Sequence, residues 1–176
     1  MKRLDRSIVL VGLMGVGKST IGKRLARRLG MGFVDSDEAI ADAAGEPAGV
    51  VFERHGEAAF RDGERRVIAR LIEGPAQVIA TGGGAYVDPD TRALLNARAI
   101  TVWLSAPTAV LVERTARRDT RPLLNGGDAP GVLARLAAER GPLYAEAHIH
   151  VMSTDGAHGE VVEQIVAAVE ARLAGQ

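Results

Sequence analysis

Cysteine is absent from this 176-residue chain, and aromatic residues make up only 3% of it. Without cysteine the chain can form no disulfide, no thiolate metal site and no thiol nucleophile, which is compatible with a cytoplasmic setting. So few aromatic rings also argue against the stacking surfaces that bind single-stranded nucleic acid. These two shortages exclude the disulfide scaffolds and the thiol enzymes before any motif is considered.

The chain has no net charge, because its 22 basic and 22 acidic residues cancel. Nothing in that balance favours a nucleic-acid or membrane partner. No apolar run approaches the roughly 18 residues of a membrane span. The basic start and the apolar run at residues 8–14 look superficially like a signal peptide, but Gly12 interrupts the run and basic residues follow it instead of a cleavage site. We expect a cytoplasmic monomer that forms a single domain over residues 1–176.

A phosphate-binding loop is the strongest motif in the chain. Residues 12–19, Gly-Leu-Met-Gly-Val-Gly-Lys-Ser, fit the pattern G-x-x-x-x-G-K-[ST]. The glycines let the backbone curl so that its N–H groups point at phosphate oxygens, with the N-terminus of the next helix behind them. In this pattern Lys18 reaches the β- and γ-phosphates and Ser19 ligates Mg²⁺.

A dinucleotide-binding fingerprint, G-x-G-x-x-G, is the nearest alternative. Gly15 and Gly17 begin such a pattern, and Asp37 lies 20 residues beyond Gly17. Thr20 occupies the place of the third glycine, so the alternative frame fails.

Short apolar runs alternate with segments of helical period along the whole chain. This alternation predicts an α/β fold with a parallel sheet covered by helices on both faces. The five candidate strands are Ile8 to Val11, Phe33 to Val34, Val78 to Ala80, Ile100 to Leu104 and Ile149 to Met152. Ligands of such sheets bind at the carboxyl ends of the strands, so the strand exits should converge on one site.

Two of these exits carry polar or glycine-rich sequence. Asp35 and Asp37 follow the second strand, and a triple glycine, residues 82–84, follows the third. The carboxylates suit Mg²⁺ organisation and the activation of an attacking hydroxyl, although a role as helix cap is the structural alternative. The glycines suit close approach of a ligand to bare backbone, with a plain flexible turn as the alternative.

Two arginine-containing segments complete the candidate site. Glu57, Arg61 and Glu64 share one helical face, which by spacing alone favours an ion-pair stripe, although it could also fix Arg61 for a carboxylate ligand. An arginine-rich segment after the fourth strand, about residues 115–129, ends in Pro and Gly-Gly and suits a mobile lid that brings positive charge to a phosphoryl group.

Taken together, these motifs resemble those of the shikimate kinases over most of the chain. The resemblance rests on the phosphate loop and on five further segments: Asp35-Ser-Asp37, Gly56-Glu57 with Phe60-Arg61-x-x-Glu64, Thr81-Gly82-Gly83-Gly84, Arg121-Pro-Leu-Leu124 and Arg140-x-Pro-Leu-Tyr144. It implies a three-layer P-loop kinase fold with a five-stranded parallel sheet, and ATP-dependent phosphorylation of the 3-hydroxyl of shikimate. A substrate-binding helical segment is expected at about residues 36–64.

The resemblance also implies residue roles. It assigns nucleotide binding to the phosphate loop and two arginines: Gly15, Val16, Gly17, Lys18, Ser19, Thr20, Arg114 and Arg121. It assigns shikimate binding to Asp37, Arg61, Gly82, Gly83, Gly84 and Arg140, with Glu57 and Glu64 as supports of Arg61. Catalysis falls to Lys18, Asp37 and Arg121, and Mg²⁺ to Ser19 and Asp35, with Arg114 against the adenine ring.

The chain departs from the family pattern on the adenine side. His148 stands where many relatives have Asp, and residues 153–158 lack the Arg or Pro often found there. These departures concern the adenine contacts and not the chemistry. Two alternatives to the shikimate kinase interpretation stay open: another small-metabolite kinase of this fold, such as gluconate kinase, or a non-catalytic binding domain.

Overall fold

A computed structural model describes residues 4–117, 128–154 and 156–176. Five strands are present in that part of the chain: β1 (Ile8–Val11), β2 (Gly32–Asp35), β3 (Gln77–Ala80), β4 (Ile100–Ser105) and β5 (Ile149–Met152). The α-helices are α1 (Lys18–Leu29), α2 (Ser36–Ala44), α3 (Ala48–Glu73), α4 (Pro89–Arg98), α5 (Thr108–Ala116), α6 (Ala129–Tyr144) and α7 (His158–Ala174). The predicted strands are confirmed, with β2, β3 and β4 slightly longer than expected.

The strands form one parallel sheet in the order β2-β3-β1-β4-β5. β1 is the central strand, and its four side chains are completely buried because helices cover both faces of the sheet. Its exit therefore lies between the exits of β3 and β4. This order brings the phosphate loop next to the triple glycine, as the predicted α/β fold requires.

Helix α1 follows the phosphate loop directly and packs on the sheet. Its apolar positions Ile21 and Leu25 are both fully buried, four residues apart on one face. Gly17 and Gly30 flank the helix with left-handed backbone conformations, φ 100° and φ 65°, which a residue with a side chain rarely adopts. The loop and helix are thus one unit fixed to the centre of the sheet.

The helical segment between β2 and β3 is divided rather than continuous. Helix α2 ends at Gly45 with φ 72°, and the backbone of α3 kinks at Gly56, where φ is 82° and ψ is 170°. Phe60 and Val67 of α3 pack with Ile40 of α2 in a small apolar cluster separate from the main core. The segment is therefore a satellite of the sheet, and it presents α3 residues to the β3 exit.

None of the helices in the described ranges is both long and apolar enough to cross a membrane.

Candidate active site

The phosphate loop is shaped by close backbone packing against its neighbours. Gly12 has φ 144°, and a Cβ atom there would overlap the carbonyl oxygen of Leu104 in β4. A Cβ atom on Gly15, where φ is 82°, would lie 2.8 Å from the Thr115 methyl group. Both positions therefore exclude a side chain on two grounds, conformation and space. The fold itself therefore requires glycine at residues 12 and 15 of the motif.

Lys18 lies across the loop that precedes it. Its Nζ donates hydrogen bonds to the carbonyl oxygens of Gly12 (2.7 Å) and Leu13 (2.9 Å), and the residue is buried. Two carbonyl oxygens hold the ammonium group at the N-terminus of α1, where the helix dipole favours an anion. The positive charge is thus placed beside the backbone groups that would surround a phosphate.

Ser19 and Asp35 join the first two strand exits. The Ser19 hydroxyl donates a 2.5 Å hydrogen bond to Oδ2 of Asp35. Oδ1 of the same carboxylate accepts from the backbone N–H groups of Asp37 (2.9 Å) and Glu38 (3.4 Å), so Asp35 is the N-cap of α2. Both interpretations of Asp35 therefore have structural support, because one oxygen caps the helix and the other faces Ser19.

Asp37 lies against the triple glycine. A Cβ atom on Gly82 would lie 2.7 Å from Oδ1 of Asp37, so only glycine leaves this carboxylate its present position. The Gly82 N–H donates to the hydroxyl of Ser36 (3.1 Å), a fully buried residue between the two aspartates. The backbone after β3 and the start of α2 are thereby held together.

Arg61 reaches the triple glycine, residues 82–84, from α3; we call these three residues the glycine segment. Its guanidinium pairs with Glu64 at 2.6 Å and fills the space that a Cβ atom on Gly84 would need. The Glu64 side chain is only 2% exposed, and this burial raises the pKa of its carboxyl group even though Arg61 acts in the opposite direction. Glu57 is exposed, so Glu64 is the support that the structure gives to Arg61.

Arg140 approaches from α6. One of its guanidinium nitrogens is 3.5 Å from the place where a Cβ atom of Gly83 would be. The hydroxyl of Tyr144, one helical turn later, donates a 2.5 Å hydrogen bond to the carbonyl oxygen of Gly83. Two arginines from different helices, Arg61 and Arg140, thus flank the glycine segment.

Arg114 lies at the opposite end of the phosphate loop. Its guanidinium donates to the carbonyl oxygens of Val16 and Thr154, both at 3.2 Å, and so connects the loop with the chain after β5. His158 lies in the same region, and burial, with help from Arg24 and Arg114, lowers its pKa. Arg121 and most of the proposed lid lie outside the described residues.

A cavity of about 330 Å³ joins these parts. Most predicted site residues line it: Gly15, Gly17, Lys18, Ser19, Thr20, Asp35, Asp37, Gly82, Gly83 and Arg114. Gly84 belongs to the glycine segment, which Arg61 and Arg140 flank. Val16 is buried, and its carbonyl oxygen accepts a hydrogen bond from Arg114. Among the described residues, no group of three or more His, Cys, Asp or Glu side chains could hold a metal by itself.

Several contacts were not anticipated from the sequence. Ser36 and Tyr144 hold the glycine segment, while Thr115 and His158 line the cavity. The position of Tyr144 near the site could have been predicted, because it lies four residues after Arg140 and so shares its helical face. The position of His158 could not have been predicted from the sequence, since only the fold brings the start of α7 next to the phosphate loop.

Comparison with known proteins agrees with this geometry. The family model for shikimate kinase matches residues 14–170. A shikimate kinase from Bradyrhizobium diazoefficiens is 50% identical over 171 residues, which is 97% of this chain and 83% of that protein. The structure of a shikimate kinase from Acinetobacter baumannii in complex with shikimate superposes with a TM-score of 0.92 at 37% identity, covering 97% of this chain and 96% of that one.

A gluconokinase from Sinorhizobium meliloti superposes less well, with a TM-score of 0.66 at 21% identity over 99% of this chain and 96% of that one. That likeness concerns the fold alone. The family model and the 50% identical relative each cover most of the chain. By sequence and by structure, this chain belongs to the shikimate kinase family.

Proposed function

We propose that the protein transfers the γ-phosphoryl group of ATP to the 3-hydroxyl of shikimate, giving shikimate 3-phosphate and ADP. The observation that carries this proposal is the position of Asp37, Arg61 and Arg140 around one glycine segment, next to the phosphate loop. A carboxylate and two guanidinium groups suit an acceptor that has both hydroxyl groups and a carboxylate.

The acceptor would bind along residues 82–84. Arg61 and Arg140 would hold the shikimate carboxylate, since a guanidinium matches a carboxylate with paired hydrogen bonds. Glu64 keeps Arg61 in place through their 2.6 Å ion pair. Asp37 would bind the ring hydroxyls, while the Gly82, Gly83 and Gly84 backbone would line the site.

ATP would bind over the phosphate loop. The loop and first helical turn would contact its phosphates through Gly15, Val16, Gly17, Lys18, Ser19 and Thr20. The guanidinium of Arg114, held between Val16 and Thr154, would lie against adenine as a cation over a π-face. Arg121 would bring a further positive charge to the transferring phosphate.

Ser19 and Asp35 fit a Mg²⁺ site. Their oxygens are 2.5 Å apart, and Mg²⁺ in kinases typically takes only one or two protein oxygens, completing its shell with water and substrate phosphates. When bound, Mg²⁺ supplies charge neutralisation at the phosphates. Asp35 would act through water, because one of its oxygens already caps α2.

In the proposed step, the 3-hydroxyl oxygen attacks the γ-phosphorus in line with the leaving group. A bond forms between that oxygen and phosphorus, while the bond from phosphorus to the β,γ-bridging oxygen breaks and its electron pair leaves with ADP. Asp37 accepts the hydroxyl proton, and Lys18 and Arg121 stabilise charge on the transferring group.

The test is ADP release with Mg²⁺-ATP in the presence of shikimate, of gluconate or of no acceptor. Release that depends on shikimate is the expected result. Release with gluconate, or equally without an acceptor, would reject shikimate as the substrate while keeping the phosphate-loop assignment. If protein shown to be folded by circular dichroism releases no ADP in any of the three assays, a non-catalytic binding domain would be favoured.

The proposal keeps the expectation of a cytoplasmic monomer that was stated from the sequence. Sedimentation velocity at several protein concentrations tests the monomer directly.

A further inference from the structure

Two buried hydroxyl groups fasten the glycine segment from opposite sides. The Tyr144 hydroxyl donates a 2.5 Å hydrogen bond to the carbonyl oxygen of Gly83. The Ser36 hydroxyl accepts one of 3.1 Å from the N–H of Gly82. Tyr144 is 1% exposed and Ser36 is fully buried, so both hydroxyl groups lie on the inner side of a segment whose Gly82 and Gly83 line the cavity.

Each of these residues is a close neighbour of a residue assigned to shikimate. Ser36 directly precedes Asp37 at the start of α2, and Tyr144 lies one helical turn after Arg140 in α6. Gly84, the next residue of the segment, packs against the guanidinium of Arg61. The segment is therefore the shared support on which the three acceptor-binding side chains meet.

We propose that Ser36 and Tyr144 are positioning residues for the acceptor: their hydroxyl groups fix the Gly82–Gly84 backbone relative to Asp37, Arg61 and Arg140. The inference rests on the proposed function and deepens it. Ser36 reaches the acceptor site through the Gly82 backbone, and Tyr144 reaches it through the Gly83 backbone and through its interaction with the Arg140 side chain.

The packing around Tyr144 makes it a rigid support. Its ring stacks near Tyr86, with centroids 6.3 Å apart, and lies 6.0 Å from the ring of Trp103. Burial raises the pKa of the Tyr144 hydroxyl, partly offset by the nearby Arg140 guanidinium, so the group remains a donor at neutral pH. A side chain held by two rings can hold a backbone carbonyl in one place.

The experiment compares Tyr144→Phe with Tyr86→Phe. Both substitutions remove one hydroxyl from a completely packed ring, but the Tyr86 hydroxyl donates to Asn96 (2.8 Å), away from the glycine segment. We expect Tyr144→Phe to raise the KM for shikimate about tenfold, the size expected for one lost buried hydrogen bond, with the KM for ATP nearly unchanged. Tyr86→Phe should change neither KM, whatever it does to the melting temperature.

Ser36→Ala provides an independent second variant, and the double variant tests whether both hydroxyls act on one segment. We expect Ser36→Ala to raise the shikimate KM selectively as well, and the effects of the two substitutions to be non-additive because they share the Gly82–Gly84 backbone. If Tyr144→Phe does not fold, the same selective change in Ser36→Ala carries the proposal.

Three results would overturn the inference: Tyr144→Phe behaving like Tyr86→Phe, a Ser36→Ala variant with unchanged kinetics, or equal increases in both KM values. Failure of the underlying function is distinguishable, because it would show as absent shikimate-dependent ADP release in the unmodified protein. An active unmodified protein with unaltered variants refutes only the positioning role.

Discussion

The hydroxyl of Ser19 donates a 2.5 Å hydrogen bond to Oδ2 of Asp35, while Oδ1 of that carboxylate caps helix α2. One side chain thus serves both the fold and the proposed metal site. Asp35→Asn keeps an oxygen for the cap but removes the charge. We expect the Mg²⁺ concentration for half-maximal activity to rise several-fold, with little change in melting temperature, measured by titrating Mg²⁺ at saturating ATP.

Asp88→Asn is the matched control for that experiment. Asp88 caps α4 in the same way, by accepting from the N–H groups of Asp90 and Thr91, but it lies outside the cavity and pairs with Arg65. The Mg²⁺ concentration that gives half-maximal activity should be the same for Asp88→Asn as for the unmodified protein. A similar rise in both variants would show that Asp35 acts through stability and not through the metal.

Asp37→Asn should nearly abolish turnover and leave ATP binding largely intact. The carboxylate lies beside Gly82 at the acceptor end of the cavity, and loss of a positioned general base lowers rates by about 10²–10⁴-fold. Steady-state kinetics with calorimetric ATP titration checks this. Greatly weakened ATP binding in Asp37→Asn would refute the assignment of Asp37 to the acceptor.

Lys18→Met should instead impair phosphoryl transfer, because Lys18 is assigned to the phosphates of ATP. Unchanged phosphoryl transfer in this variant would refute that role.

Gly84→Ala should weaken shikimate binding by displacing Arg61. The backbone of Gly84, with φ −95° and ψ −8°, accepts alanine, but the added Cβ atom would overlap the Arg61 guanidinium. Losing a charge-assisted hydrogen bond costs about 1.5–3 kcal/mol, so the KM for shikimate should rise about 10- to 100-fold.

Gly63→Ala is the corresponding control in the same helix as Arg61. Apart from its chain neighbours and the adjacent backbone of its own helix, no atom lies within 4 Å of the added Cβ, and alanine in a helix interior is favoured over glycine by about 0.5–1 kcal/mol. This variant should therefore melt at a slightly higher temperature with unchanged kinetics. An unchanged shikimate KM in Gly84→Ala would mean that Arg61 does not bind the acceptor from its present position.

Glu64→Gln should change the pH dependence of stability. Because burial raises the folded-state pKa of Glu64 above its ordinary value of 4.5, the folded protein keeps this proton to a higher pH than the unfolded chain does. The contribution of Glu64 to the free energy of unfolding therefore falls as pH rises from 4.5 through the folded-state pKa. Urea unfolding at several pH values should show the unmodified protein losing stability relative to Glu64→Gln over that interval; a relative gain would contradict the direction of the shift.

The sequence allowed the sheet to be predicted because its strands are short, apolar and separated by long helical segments. Val78 to Ala80, for example, was visible as an apolar run and lies in β3. The position of Asp35 before a helix likewise predicted its contact as a helix cap, whereas its place beside Ser19 was implied by the family resemblance. Patterns among neighbouring residues were therefore sufficient to predict the strands and other local features.

The contacts of the site with long sequence separation were not predictable in this way. Spacing alone favoured an ion-pair stripe for Arg61, and its pair with Glu64 exists. The contact of Arg61 with Gly84, by contrast, joins residues far apart in the sequence. The hydrogen bond from Tyr144 to Gly83 spans 61 residues. Such contacts depend on helix placement over the sheet, which periodicity does not specify.

Thr81 connects the exits of β3 and β1 at their base. Its backbone N–H (3.2 Å) and its hydroxyl (2.8 Å) both donate to the carbonyl oxygen of Leu10, so the segments that would carry the acceptor and the phosphates leave the sheet as one rigid piece. Any closure that brings the two substrates into reacting distance must then hinge elsewhere. Gly45 and Gly56 interrupt the helical segment between β2 and β3 with positive φ angles, and we expect any hinge of that segment to lie at these two residues.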